Sequence, residues 1–158
     1  MPAAKGISRV DAQAAPVHVE FIPWMSARYA EVGAVWDALA QRDTRAPIFA
    51  RRRWCELGWE TGALRPRGVM LVSRSERPIA LFPLERRTPG SWQVVSLFGQ
   101  GDLQAVIDPE EEAAAWEGLA RWVRRAPRLF ALSFELCERP GIEACIAACW
   151  SQRLIASM

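Results

Sequence analysis

The chain has 158 residues, enough for one domain with a full hydrophobic core. Apolar residues make up 51% and charged residues 24%, an ordinary globular balance, and a net charge of +2 gives no electrostatic case for nucleic acid or an anionic membrane. No run approaches the ~18 apolar residues of a membrane span. The first sixteen residues carry no apolar signal segment, so the four cysteines suit reduced thiols and a cytoplasmic location.

Residues 1–16, Ala-rich with scattered charge, read as a flexible tail ahead of a single lobe over 17–158. VHVEFIPW (17–24) alternates, with Val17, Val19 and Phe21 on one face and His18 and Glu20 on the other, which predicts a strand. Ser26 suits the cap of a helix whose stripe is Tyr29, Val32, Val35, Trp36 and Leu39. After a polar break at 42–46, Pro47 suits a turn or helix start. IFARRRWCELGWETG predicts a second helix with Ala50, Trp54 and Leu57 toward the core and Arg51, Arg52 and Arg53 toward solvent.

A Gly- and Pro-containing loop at 62–68 leads to strands at 69–74 and 78–87, joined by a hairpin at 75–77. Pro83 has no N–H to donate, which predicts a bulge or an edge. Residues 91–99 read as a third strand of an antiparallel meander, and 103–108 as a short extended piece. A helix follows over 109–125 with Trp116, Leu119, Ala120 and Val123 on one stripe, ended by Pro127. The apolar run 128–136 predicts a strand buried on both faces, and Pro140 opens a last helix carrying Ile142, Cys145, Ile146 and Cys149. The expected fold class is α+β (mixed α/β): a mostly antiparallel sheet with helices on both faces.

One stretch looks like a phosphate cradle: LFGQGDLQAVIDPEEE, residues 97–112. A working cradle runs its glycines straight into a helix, whose N–H groups and positive dipole end hold the anion. Here residues 102–108 separate the glycines from the helix, and the helix opens with acids. Asp108 suits the N-cap, Pro109 the first turn, and Glu111 the far side of a capping box. Together with Glu110 and Glu112, these carboxylates put like charge where a pyrophosphate would sit.

Other chemistry is sparse. His18 is the sole histidine and has no sequence neighbour to make it a general base. Cys145 and Cys149, at i and i+4, lack two further clustered ligands, so buried thiols and no metal are expected. No G-x-S-x-G, H-E-x-x-H or Walker motif is present. The eight tryptophans mostly fit core packing.

The order of elements resembles the GNAT-type N-acetyltransferase fold without its last two strands. Local wording adds to this. Phe49-Ala50-Arg51-Arg52-Arg53-Trp54 is similar to the F-x-x-P-x-W helix opening of CelD-type acetyltransferases, with Arg52 in place of the proline. Arg77-Pro78-Ile79-Ala80-Leu81-Phe82-Pro83-Leu84 looks like their R-P-x-G-x-x-P-L hairpin. Gly99-Gln100-Gly101-Asp102-Leu103 through Val106-Ile107-Asp108-Pro109 resembles their G-x-x-D…D-P passage.

These are cellulose-biosynthesis proteins, related in form to the two-lobe FemAB-type transferases. The resemblance, over about residues 20–150, implies a non-catalytic first lobe, with acyl-CoA bound only on a second lobe and no cofactor on this chain. It implies a substrate groove near Gly99, Gln100, Gly101, Asp102 and Gln104, and assigns no catalytic residue. A homodimer or a second GNAT-like lobe is the expected partner. Two alternatives stand beside it: a saccharide- or small-molecule-binding module using exposed tryptophans such as Trp92 or Trp59, and a self-sufficient N-acyltransferase.

Overall fold

The computed structural model describes residues 15–46, 50–88, 91–94, 105–125, 131–135 and 154–157, with side chains described over 15–46, 50–86 and 105–125. Strand β1 (Val17–Pro23) leads into helix α1 (Ala27–Arg42) and helix α2 (Arg52–Glu60). Strands β2 (Pro66–Arg74), β3 (Arg77–Thr88) and β4 (Ser91–Val94) follow. A two-residue strand β5 (Val106–Ile107) and one 3-10 turn (Pro109–Glu111) precede helix α3 (Glu112–Arg125), and strands β6 (Ala131–Glu135) and β7 (Leu154–Ser157) complete the sheet.

The fold is α+β. The strands lie in the order β1-β2-β3-β4-β6-β7, antiparallel through β4 and parallel from β4 to β6 to β7, while β5 pairs antiparallel with β3. The last helix expected from Pro140 lies outside the described residues. The expected sheet stopped at β6, but Leu154–Ser157 adds a strand beside it, where Leu-Ile-Ala supplies a short apolar run suited to a pleated surface.

Helices cover both faces of the sheet. Alternation divides β2 between them: Met70 and Val72 face α3, and Val69 and Leu71 face α1. On the α3 side Trp116, Leu119, Ala120 and Val123 pack against Phe82 and Leu84, and on the α1 side Val32, Trp36 and Leu39 pack against Leu81 and Val106. Ser26 caps α1 as expected, its hydroxyl accepting from the Tyr29 N–H at 3.2 Å.

Three local readings are corrected. In α2 the buried residues are Cys55, Glu56 and Trp59, while Trp54 and Leu57 are exposed. The helix is rotated because Trp59 is drawn against Trp24 and Tyr29, with Trp24–Trp59 ring centroids 4.4 Å apart. Pro83 is not at a bulge. It pairs with Val69, and the bulges fall at Pro66/Gly68 and Val72/Ser73. Among the described residues β3 pairs on its other side with β5 at Ala80 and Leu81 and with β4 from Leu84, and Pro83, which has no N–H to donate, has no second-side pairing. The hairpin uses two residues rather than three. Ser75 and Glu76 both have positive φ, as a type I′ turn requires, and Arg77 already begins β3.

Gly68 is the glycine that pairing demands. Its φ is +148°, and a Cβ there would lie 2.2 Å from the Ile22 carbonyl oxygen across the β1–β2 ladder.

Candidate functional site

The start of α3 carries a dense set of charges. β5 delivers Asp108 to the N-cap position, where its carboxylate accepts from the Glu110 N–H at 3.2 Å. The same carboxylate is only 6% exposed and takes Arg77 at 2.6 Å and Arg42 at 3.4 Å. Glu111 does not fold back on the cap as a capping box would have it, but pairs with Arg74 at 3.2 Å. Glu112, also nearly buried, pairs with Arg45 at 2.6 Å. The end of α1, the turn after it and the β2–β3 hairpin thus hand arginines to Asp108, Glu111 and Glu112.

Buried carboxylates are tolerated only when paired and hydrogen-bonded, and this arrangement supplies both. It also fills the positive end of α3 with the chain's own anions. The residues there do not fit the pyrophosphate of acyl-CoA. A phosphate would meet three carboxylates, and the arginines that might attract it are already engaged.

Asp43 completes this corner. Its side chain is fully buried, accepting from the Ile107 N–H at 2.9 Å and from the Arg45 N–H at 3.2 Å. One carboxylate thereby fastens the end of α1 to β5.

A second polar cluster lies between α1 and α2. The Tyr29 hydroxyl donates to Glu56 Oε1 at 3.2 Å, and Arg52 donates to the same oxygen at 3.0 Å. Arg52 also reaches Asp37 at 3.6 Å and lies over the Gly33 backbone, where an added Cβ would meet its guanidinium at 3.3 Å. Burial first, and then the Glu56 carboxylate, raise the Tyr29 hydroxyl far above the tyrosine range. The same two causes, in the same order, raise the Cys55 thiol. Both groups are held neutral, the opposite of an activated nucleophile. Sequence reading placed Arg52 on a solvated face. The Arg52–Glu56 spacing of i, i+4 was the available signal for this pair.

The third feature is a cleft of about 190 Å³ between β1 and α3. Gly118, Arg121, Trp122 and Arg125 follow the i, i+3, i+4, i+7 spacing of one helical stripe, and Val17 and Val19 face them from β1. His18 also borders the cleft, with its side chain directed to the opposite sheet face by strand alternation. Gly118 lets helix and strand approach: a Cβ there would meet Val17 Cγ1 at 2.7 Å. The Trp122 ring lies 6.4 Å from that of Phe21. Arg121 pairs with Glu117 at 2.6 Å.

Of the residues singled out from sequence, Gly99, Gln100, Gly101, Asp102 and Gln104 lie outside the described residues, as do Cys145 and Cys149. Trp59, expected as an exposed stacking residue, is 5% exposed and belongs to the core, because α2 turns it inward. The side chain of Trp92 is outside the description. Among the described residues no group of three or more His, Cys, Asp or Glu is arranged to hold a metal, and no helix is long and apolar enough to cross a membrane. Comparison with protein-family models, curated proteins and solved structures finds no match.

Proposed function

We propose that this chain is a GNAT-like lobe of the CelD acyltransferase type that does not hold acyl-CoA at α3. It works instead by walling an acceptor-substrate groove or by pairing with a second lobe. The observation that carries this reading is the ion-paired start of α3. Asp108, Glu111 and Glu112 are each bound to an arginine at the helix end where a GNAT enzyme grips pyrophosphate. Support also comes from the strand order, an antiparallel β1–β4 meander passing through α3 into a parallel β4–β6 pair. The pairing role is supported by Trp54 and Leu57, which stand exposed one turn apart on α2.

Two measurements test it. Titration calorimetry with acetyl-CoA is expected to show no binding. Saturable heat would overturn the reading in favour of a self-sufficient acyltransferase. Sedimentation velocity at micromolar concentration is expected to show a dimer, or a complex once a second GNAT-like lobe is added. A stable monomer under both conditions would remove the pairing role.

A further inference from the structure

We infer that the cleft between β1 and α3 is a binding site for a small organic carboxylate with an aromatic or branched apolar body. The inference is independent of the acyltransferase reading, because it uses none of the ion-paired residues at the α3 start.

The cleft joins two chemistries. Its apolar lining comes from Val17, Val19, Gly118 and Trp122. Its rim is cationic, since Arg121 and Arg125 stand one turn apart along the same stripe. Its volume of about 190 Å³ suits a ring-sized body, given that an apolar cavity of about 150 Å³ holds benzene.

The two arginines differ. Arg121 is engaged with Glu117 at 2.6 Å. Arg125 makes no ion pair or hydrogen bond among the described residues, so its five donors are available to a ligand carboxylate. Nearby Arg124 does not line the cleft but, with Arg125, offsets the partial negative charge of the helix C-terminus. Without that offset an anion would be disfavoured at this end of a helix. Gly118 is part of the same design. A helix-interior glycine weakens its helix, and here it lets α3 close on β1 to form the floor: a Cβ would lie 2.7 Å from Val17 Cγ1 and 3.3 Å from Val19 Cγ2.

The probe is phenylacetate, with neutral phenylacetamide as its isostere, titrated into the whole ¹⁵N-labelled protein. Phenylacetate is expected to shift the Trp122 indole N–H and the amides of Val17, Val19 and Gly118 together, saturating in the millimolar range. Phenylacetamide should bind about tenfold more weakly, the scale of one charge-assisted hydrogen bond. Arg125→Gln should bring the two ligands to equal affinity, whereas Arg124→Gln should preserve the preference. The spectra themselves report that each variant is folded. Absence of saturable shifts at these residues, equal binding of acid and amide by the parent protein, or equal loss in the Arg124 and Arg125 variants would each overturn the assignment.

Discussion

Asp43 ends α1 with its carboxylate wholly buried, held there by two backbone N–H groups. Truncating it leaves the Ile107 amide without its acceptor. Asp43→Ala should therefore cost about 2–3 kcal/mol of stability in urea unfolding, and Asp43→Asn, which keeps one acceptor oxygen, clearly less. Equal losses would mean that charge rather than acceptor geometry matters. Tyr29→Phe removes one donor from Glu56 but leaves Arg52 in place, so about 1 kcal/mol is expected. The raised Tyr29 and Cys55 groups also set a pH dependence. In the unfolded chain the thiol ionises near pH 8.5 and the phenol near about 10, while the fold keeps both protonated. Above those values the unfolded state binds fewer protons than the native one, so stability falls as pH rises; below about 8.5 the contribution is intact. Urea midpoints measured from neutral pH to about 10 should fall more steeply in the parent protein than in Cys55→Ala, the unfolded thiol titrating within that window. Parallel curves would show that Cys55 contributes nothing to the slope.

At the scale of elements, α3 rests on β1 through Gly118. Gly118→Ala gains about 1 kcal/mol of helix propensity but drives a methyl group to 2.7 Å from Val17 Cγ1, a β-branched side chain with little freedom to turn. A net loss of about 1–2 kcal/mol is expected, relieved when Val17→Ala is added. Simple additivity in that cycle would show that the contact is not the cause.

The same elements show what sequence makes legible. α1 and α3 were readable because their apolar stripes agree with their caps: Ser26 before Tyr29, and Asp108 before Trp116. The β2–β3 hairpin was readable from its two apolar runs. The face of α2 was not. Its nine residues include Cys55, Trp59, Trp54 and Leu57 around the helix, so periodicity alone does not decide which are buried; packing against Trp24 and Tyr29 does. The cleft was likewise hidden. Nothing in the sequence marks Arg121 and Arg125, and only the pairing of β1 into the sheet brings Val17 and Val19 opposite them. The acidic opening of α3, by contrast, was visible in DPEEE, although the arginines that answer it come from the turn after α1, from β2 and from β3.

For the molecule as a whole, the sheet separates two clusters of buried side chains. Leu39 belongs to the cluster under α1 and α2, and Leu119 to the one under α3. Each change to Ala should cost about 2–5 kcal/mol, by lost burial plus the cavity left behind. Because the clusters lie on opposite faces, the double variant should equal the sum of the two within about 0.5 kcal/mol. A single cooperative unfolding transition is expected for every variant, since both clusters share β2 and β3. Separate transitions for the two faces would contradict it.

The bond from Asp43 to Ile107 spans 64 positions of sequence, and that span is also an interval of time. On a ribosome adding about 5–20 residues per second, α1 emerges about 3–13 s before the amide it will hold. Until then its final carboxylate lacks the Ile107 amide, and the end of the helix is not yet fastened to β5. Ribosome-bound chains should therefore stay open to protease near residues 40–46 until β5 has cleared the exit tunnel, and close abruptly afterwards. Protection arriving before residue 107 has emerged would show that α1 finds its seat without β5.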